Sequence, residues 1–309
     1  MSSPASPRSR ALETAYVVHV QSGSRIQGAL ASAPLFVAVA ELDGKSQVPD
    51  FARAMRTLAQ THHVLLSPSR ARRPFVVVEP TYLPVTHKRA LVDAVFDTFQ
   101  TACEVAFVPA PVCAALAAAT ENALVIELDA GTTTVTPVCA FYELPFVART
   151  STRAVEDVAL ARTPAELDEI YFARADDHDD DGELPLDELA ARVLFALPID
   201  VRAAAAAHVV FAGPAAGIAG LRALALARIR TAVAARQPFH RAVEGGNAVL
   251  AVRGVATLGA VAGAALYLGR ADAGAASLAG CFTGRGAVVD RAGWEASGRR
   301  TVPDWACPA

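Results

Sequence analysis

Between Arg73 and Pro145 the apolar positions switch between strand-like and helix-like spacing, and the switches predict a chain of alternating elements. Phe75-Val76-Val77-Val78-Glu79 is a continuous run rich in β-branched residues, closed by Pro80. Such a run predicts a central strand covered on both faces. Pro80 and Pro84 deny the next residues both ladder bonds and a helix, so a rigid loop follows. From Thr86 onward Leu91, Val95, Phe96 and Phe99 fall on one helical stripe. Val105–Val108 predicts a second strand, Pro111–Ala119 an Ala-rich helix and Ala123–Leu128 a third strand. That strand runs into Asp129-Ala130-Gly131-Thr132-Thr133-Thr134, and Thr134–Cys139 returns as its hairpin partner.

The flanks read less sharply. Ala15–Val20 predicts a first strand and Leu35–Ala40 a second, with Gly28–Pro34 as the turn region between them. Asp50–Gln60 carries Phe51, Met55 and Leu58 on one helical face. Helical patterns over Ala165–Ala173 and Asp187–Phe195 flank an acidic string, with Leu184–Asp187 also fitting a hairpin before the second helix. The strand His208–Ala212 leads through the Gly-rich Gly213–Gly220 to a helix over Leu221–Ala235. The uncharged run Gly254–Gly269 falls short of the ~20 residues a membrane helix needs, and reads as a buried core helix. In Gly269–Gly298 few signals stand out, and Trp294 is expected simply to anchor the segment to a core.

A length of 309 residues exceeds one typical domain and favours two lobes, and 53% hydrophobic residues suffice for a sizeable core. With a net charge of -3 there is no basic field to draw nucleic acid or an anionic membrane. Five scattered cysteines without a C-x-x-C pair predict reduced thiols rather than disulfides or zinc. Residues 1–13 lack an apolar signal core and read as a disordered leader.

For chemistry, a strand ending in Asp129-Ala130-Gly131 with hydroxyls behind it aims backbone N–H groups at an anion and an acid at a metal. Asp177–Glu188 satisfies the calcium-loop pattern of acids at the first, third and fifth places, Gly at the sixth and Glu at the twelfth. Pro185 at the ninth place and the lack of a second loop favour a solvated acidic loop instead. His62-His63 has no third ligand at metal spacing and reads as a polar helix end. No G-x-S-x-G, H-E-x-x-H or G-K-[ST] motif occurs.

Taken in order, Phe75–Pro80, His87–Phe99, Ala110–Leu116, Val125–Gly131 and Tyr142–Pro145 resemble the actin family. Within that family, Leu197-Pro198-Ile199-Asp200-Val201-Arg202 and the tail Pro303-Asp304-Trp305-Ala306-Cys307 are most similar to the actin-related subunits at the pointed end of dynactin, with Ala306 an extra residue. The resemblance implies an α/β, actin-like two-lobed fold of ribonuclease H-like ATPase type with shortened outer subdomains. The small lobe would span 14–122, with the tail 270–309 packed on it, and the large lobe 123–269, with an acidic loop at 175–187. It also makes the opening hairpin the first phosphate loop, where His19 and Ile26 stand at the family's metal-side Asp and phosphate-contacting Lys. His19 there reads as an ordinary strand residue. Asp129–Gly131 becomes the second phosphate loop, and Gly213–Gly220 the adenosine loop, less one backbone donor at Pro214.

The family's water-orienting Gln at the start of the helix Pro111–Ala119 has no counterpart, since no Gln occurs between Gln100 and Gln237. The resemblance therefore implies no turnover, no catalytic residue and no dedicated metal site. Two readings of the cofactor stay open: ATP or ADP with magnesium held as a structural wedge by Asp129, Gly131, Thr132 and Gly213, or a cleft stable without it. The implied partners are dynactin subunits, namely the actin-related filament and the other pointed-end subunits, with neither nucleic acid nor membrane. The implied setting is cytoplasmic and cytoskeletal, in microtubule-based transport. The competing expectations are a divergent actin-fold ATPase, a nuclear actin-related subunit of a chromatin remodeller, and a calcium sensor built on Asp177–Glu188.

Overall fold

The structure is a computed structural model, and it describes residues 15–21, 25–34, 38–42, 49–61, 73–155, 163–174, 184–244, 250–270 and 288–299. The expected leader, the pair His62-His63, the acidic residues Asp177–Glu183 and the tail Pro303–Cys307 lie outside the described residues. In chain order the strands are β1 (Tyr16–Gln21), β2 (Arg25–Leu30), β3 (Ala38–Glu41), β4 (Arg73–Glu79), β5 (Ala102–Pro109), β6 (Ala123–Leu128), β7 (Thr133–Cys139), β8 (Tyr142–Glu143), β9 (Arg149–Ser151), β10 (Val209–Ala212), β11 (Gly254–Val255) and β12 (Val288–Asp290). The helices are α1 (Phe51–Thr61), α2 (Val85–Thr98), α3 (Ala110–Ala117), α4 (Pro164–Phe172), α5 (Leu186–Ala196), α6 (Ile199–Ala207), α7 (Leu221–Glu244), α8 (Ala260–Arg270) and α9 (Arg291–Ala296). Two compact units result, one from 1–113 with 260–309 and the other from 114–259.

The first unit holds a sheet in the order β12-β5-β4-β1-β2-β3. β1, β2 and β3 form an antiparallel meander, while β4 runs parallel to β1 and β5 parallel to β4. Alternation sends Tyr16, Val18, Val20, Phe75, Val77 and Phe107 to one face, where Phe51, Met55 and Leu58 of α1 and Leu91 and Val95 of α2 bury them. Val17, Val76, Val78 and Ala106 point the other way, against Cys113 of α3 and Val261 and Ala264 of α8. Burial on both faces is why β4 reads as an unbroken apolar run. Trp294 is 1% exposed in the first of these cores and donates its indole N–H to Asp93 at 3.1 Å.

Two expectations need correcting here. Gly28 is not a turn residue: it lies inside β2, opposite Val18. A Cβ at that position would come within 2.3 Å of the Tyr16 hydroxyl, so the glycine permits a close approach to a buried ring. The helix expected over Gly254–Gly269 begins only at Ala260, and it packs in the first unit rather than with the lobe drawn over 123–269. Gly254 and Val255 instead form β11. A Cβ on Gly263 would fall 1.8 Å from the Cys113 carbonyl oxygen, which shows how closely α8 and α3 approach. No helix among the described residues is long and apolar enough to cross a membrane.

The second unit holds a sheet in the order β11-β10-β6-β7-β8, with β9 also paired to β7. β7 is antiparallel to β6, β9 antiparallel to β7, β10 parallel to β6 and β11 parallel to β10. Leu124, Ile126, Leu128, Val135, Val209 and Phe211 face a core supplied by α4 to α7, including Tyr171, Leu189, Leu194, Leu221 and Ile229. α5 starts directly at Leu186 behind Pro185, where a hairpin also fitted the sequence. Arg228 grips Asp168 through contacts as short as 2.6 Å, tying α7 to α4.

The two sheets repeat one topology. In each, a three-stranded meander (β1-β2-β3, or β6-β7-β9) is followed by helical structure (one helix in the first unit, α4 to α6 in the second), a parallel strand, a helix and a second parallel strand (β4 and β5, or β10 and β11). The β1–β2 and β6–β7 turns therefore sit at equivalent ends of their sheets, as do the loops after β4 and β10.

Candidate functional site

The site grows out of the end of β6. Asp129 leaves the strand 5% exposed, and its backbone N–H donates to the Thr132 carbonyl at 3.0 Å, which tightens the turn. Gly131 takes φ +86° there, a conformation that favours glycine, with open space where a side chain would stand. The next parallel strand, β10, ends beside this turn. Gly213 has φ +85°, and a Cβ on it would lie 2.6 Å from the Leu128 carbonyl oxygen and 2.9 Å from Asp129 Oδ1. The structure thus brings Asp129, Gly131, Thr132 and Gly213 together at one edge of the second unit. Past Gly213, Pro214–Gly217 forms a single tight helical turn.

Two of the hydroxyls behind the turn, those of Thr133 and Thr134, are occupied in the sheet. Thr133 donates to the Arg153 carbonyl at 2.7 Å, and the Thr134 and Thr150 hydroxyls bond each other at 3.1 Å. They fasten β7 to the β9 side of the sheet, where the sequence pattern suggested an anion cradle.

The local charge is acidic. Glu127 lies two residues before Asp129, on the sheet face away from the helix-covered core, opposite Thr134. Burial drives its carboxyl well above the ordinary carboxylate range, and the charges of Asp129 and Glu143 push it further the same way. Tyr171, fully buried on α4, has its hydroxyl pushed up to about 12 by burial, with the Asp129 charge adding to the shift. Sequence reasoning passed over Glu127. Its signal was one charged residue in an otherwise apolar strand, Ala-Leu-Val-Ile-Glu-Leu.

The strands flanking the equivalent turn of the first unit carry different material, and residues 22–24 of the turn itself lie outside the described residues. His19 is buried in β1 and hydrogen-bonded to the side chain of Gln27, its cross-strand neighbour. Burial pushes the imidazole down to about 4, only partly offset by Gln27, so the ring is neutral at physiological pH. Gln21, at the end of β1, is 4% exposed, and its Oε1 has no hydrogen-bond partner. Ile26 is fully buried among the core residues beneath α1. Gln27 was not singled out from sequence, because only the strand pairing places it beside His19.

After β4, Glu79 and Lys88 form a buried ion pair at 2.8 Å, with the ammonium 5.6 Å from the Phe107 ring centroid. Ala110, Pro111, Val112 and Cys113 open α3 with buried, apolar side chains.

A metal–phosphate group needs carboxylate oxygens for the cation and N–H or cationic donors for the phosphate. The β6–β7 turn offers an acid and an open glycine backbone. The β1–β2 hairpin offers a neutral imidazole, an orphaned acceptor and a core isoleucine. Among the described residues no cluster of three or more His, Cys, Asp or Glu side chains is placed to hold a metal ion.

The model of the actin family matches residues 36–159 of the chain, and the match supports membership of that family. Nothing among the curated proteins matches it. The matched stretch includes β4, β5, β6, β7 and the Asp129 turn. Together with two sheets of mixed α/β architecture, it gives the chain an actin-like fold of two units.

Proposed function

We propose, with the actin-family match over residues 36–159 as premise, that this chain is a non-catalytic actin-related subunit of dynactin. It caps the pointed end of the actin-related filament, in the cytoplasm, and serves dynein-driven transport along microtubules. The observation that carries the loss of catalysis is the start of α3. Hydrolysis in an actin-type fold needs a polar side chain there to hold water in line with the terminal phosphate. This helix begins Ala-Pro-Val-Cys, with those residues buried. The first phosphate turn compounds the loss, with a neutral His19 in place of an acid. Each missing part removes roughly two or more powers of ten in rate.

The dynactin assignment is supported by the likeness of Leu197–Arg202 and of the tail Pro303–Cys307 to its pointed-end subunits. Leu197–Arg202 makes the bend from α5 into α6. Arg202 is buried there, donates to the carbonyls of Phe195 and Leu197 at 3.1 and 2.8 Å, and lies over the Phe195 ring. Ile199 and Asp200 stay exposed on the same bend. The short path from β3 to α1, ending at Phe51, is consistent with a trimmed outer subdomain. An end subunit has reason for such trimming: it keeps one face for the filament and removes the elements that would seat a further subunit.

The test is affinity purification of the tagged full-length chain. Recovery of the dynactin filament subunits supports the assignment, and recovery of a chromatin remodeller in their place refutes it. Steady ATP turnover by the purified chain, abolished in Asp129→Ala, would refute the non-catalytic reading.

A further inference from the structure

We infer that Thr163 is a phosphorylation site for a proline-directed serine/threonine kinase, since it is an exposed threonine in extended backbone with proline as its next residue. Neither the actin-type fold nor the dynactin assignment enters this reading.

Ser-Pro or Thr-Pro steps occur at Ser3, Ser6, Ser67, Thr136 and Thr163. Thr136 and Thr163 lie among the described residues. Thr136 is 0% exposed inside β7 and pairs with Val125, so its hydroxyl is out of reach while the sheet stays closed. Thr163 and Pro164 are both exposed, as are Ala165 and Glu166 after them. Pro164 has no backbone N–H and biases the residue before it away from the helix. Thr163 accordingly takes φ -76° and ψ 156°, the extended form that a peptide-binding cleft takes hold of.

Beyond Pro164 the backbone turns helical, so the first turn of α4 has to open when a kinase engages it. That turn is fastened by a capping box. Glu166 N donates to Thr163 Oγ1 at 3.2 Å, and Thr163 N donates to Glu166 Oε2 at 2.7 Å. A cap at an exposed helix end is weak enough to open transiently, while Leu167, Tyr171 and Phe172 keep the rest of α4 in the core. In the transfer, Thr163 Oγ1 bonds to the γ-phosphorus of the kinase's ATP. The bond from that phosphorus to the β,γ-bridging oxygen breaks, ADP leaves with its electron pair, and the hydroxyl proton passes to the kinase's base.

The product suits its place. A phosphothreonine carries a charge of roughly -1.5 to -2 at neutral pH, and the first-turn N–H groups of α4 favour an anion there. The Glu166 carboxylate, whose Oε2 lies 3.1 Å from the same hydroxyl, is repelled. One cap replaces another. The helix stays, and its exposed side, which already carries Glu166 and Glu169, gains a dense negative charge.

The experiment maps phosphate by mass spectrometry on two preparations of the full-length chain. One is isolated with phosphatase inhibitors from the cells that make it, and the other is purified, folded and incubated with ATP and a proline-directed kinase. Phosphate is expected at Thr163 in both and at Thr136 in neither. Thr163→Val should abolish the site, and Thr163→Ser, which keeps both cap and acceptor, should restore it. Pro164→Ala should slow phosphorylation at Thr163 by about tenfold or more. The phosphorylated chain should unfold within about 2 °C of the unmodified one. Thr163 left unmodified in either preparation overturns the inference, and so does phosphorylation there that Pro164→Ala leaves unchanged. A larger fall in the unfolding midpoint overturns the exchange of caps.

Discussion

Two glycines with nearly the same φ provide a controlled test of how the Asp129 turn is built. Gly213 and Gly131 sit at +85° and +86°, so an L-residue at either is strained by about 1–3 kcal/mol. They differ in surroundings. The Cβ of Gly213→Ala meets backbone, 2.6 Å from the Leu128 oxygen and 2.8 Å from its carbon, and backbone cannot swing aside as a flexible side chain does. The Cβ of Gly131→Ala meets nothing within 4 Å. Overlap of this kind adds about 1–3 kcal/mol, so Gly213→Ala is expected to lose about 3–5 kcal/mol and Gly131→Ala about 1–2. Gly217→Ala is the control: nothing lies within 4 Å of its Cβ either, and its φ is outside the left-handed range, so it should stay within about 0.5 kcal/mol. At a few degrees per kcal/mol the midpoints should fall by roughly 10 °C, 4 °C and 1 °C. Far-UV circular dichroism during heating, supported by urea titration, reads all three. Equal losses at Gly131 and Gly213 would refute the close-approach argument and leave backbone conformation as the whole effect.

Three further predictions concern the first unit. His19, lowered to about 4 from an ordinary 6.5, adds stability that is complete above pH 6.5 and is lost as pH falls through 4. The difference is roughly 3 kcal/mol across that window, and His19→Gln should flatten the corresponding part of the urea-midpoint profile against pH. Trp294→Phe removes the indole N–H that reaches Asp93 and should cost about 1–2 kcal/mol, with loss of the blue-shifted part of the tryptophan emission. Lys88→Met leaves Glu79 buried without its cation and should cost about 3–5 kcal/mol by chemical denaturation, and adding Glu79→Gln should recover much of that. If the double variant is no more stable than the single one, the Lys88–Glu79 pair is not what holds the two charges in the interior.

What was legible in the sequence follows from how much of each element's fate is local. β4, β5 and β6 are apolar runs bounded by Pro or a charged residue, and α2 carries its stripe at helical spacing, so all four could be read directly. β2 could not, because the role of Gly28 depends on a Tyr16 ring that only strand pairing places beneath it. Assigning α8 to a unit failed for a similar reason. Its small residues fit against α3, at Gly263 and Cys113, across a separation that no local window spans. At the site, Asp129 and Gly131 announce themselves as a motif. Glu127 and Gln27 acquire meaning only from their neighbours across the sheet.

The first unit is completed by residues made after the whole of the second. β12 covers the β5 edge, and Arg291 donates to the Phe96, Phe99 and Ala102 carbonyls that end α2 and begin β5. During synthesis the continuous stretch 114–259 can close its own sheet while that edge still waits, its ladder groups bare to any passing strand. A nascent chain stalled before Val288 therefore exposes a sticky β5 edge, and that interval is the riskiest of its synthesis.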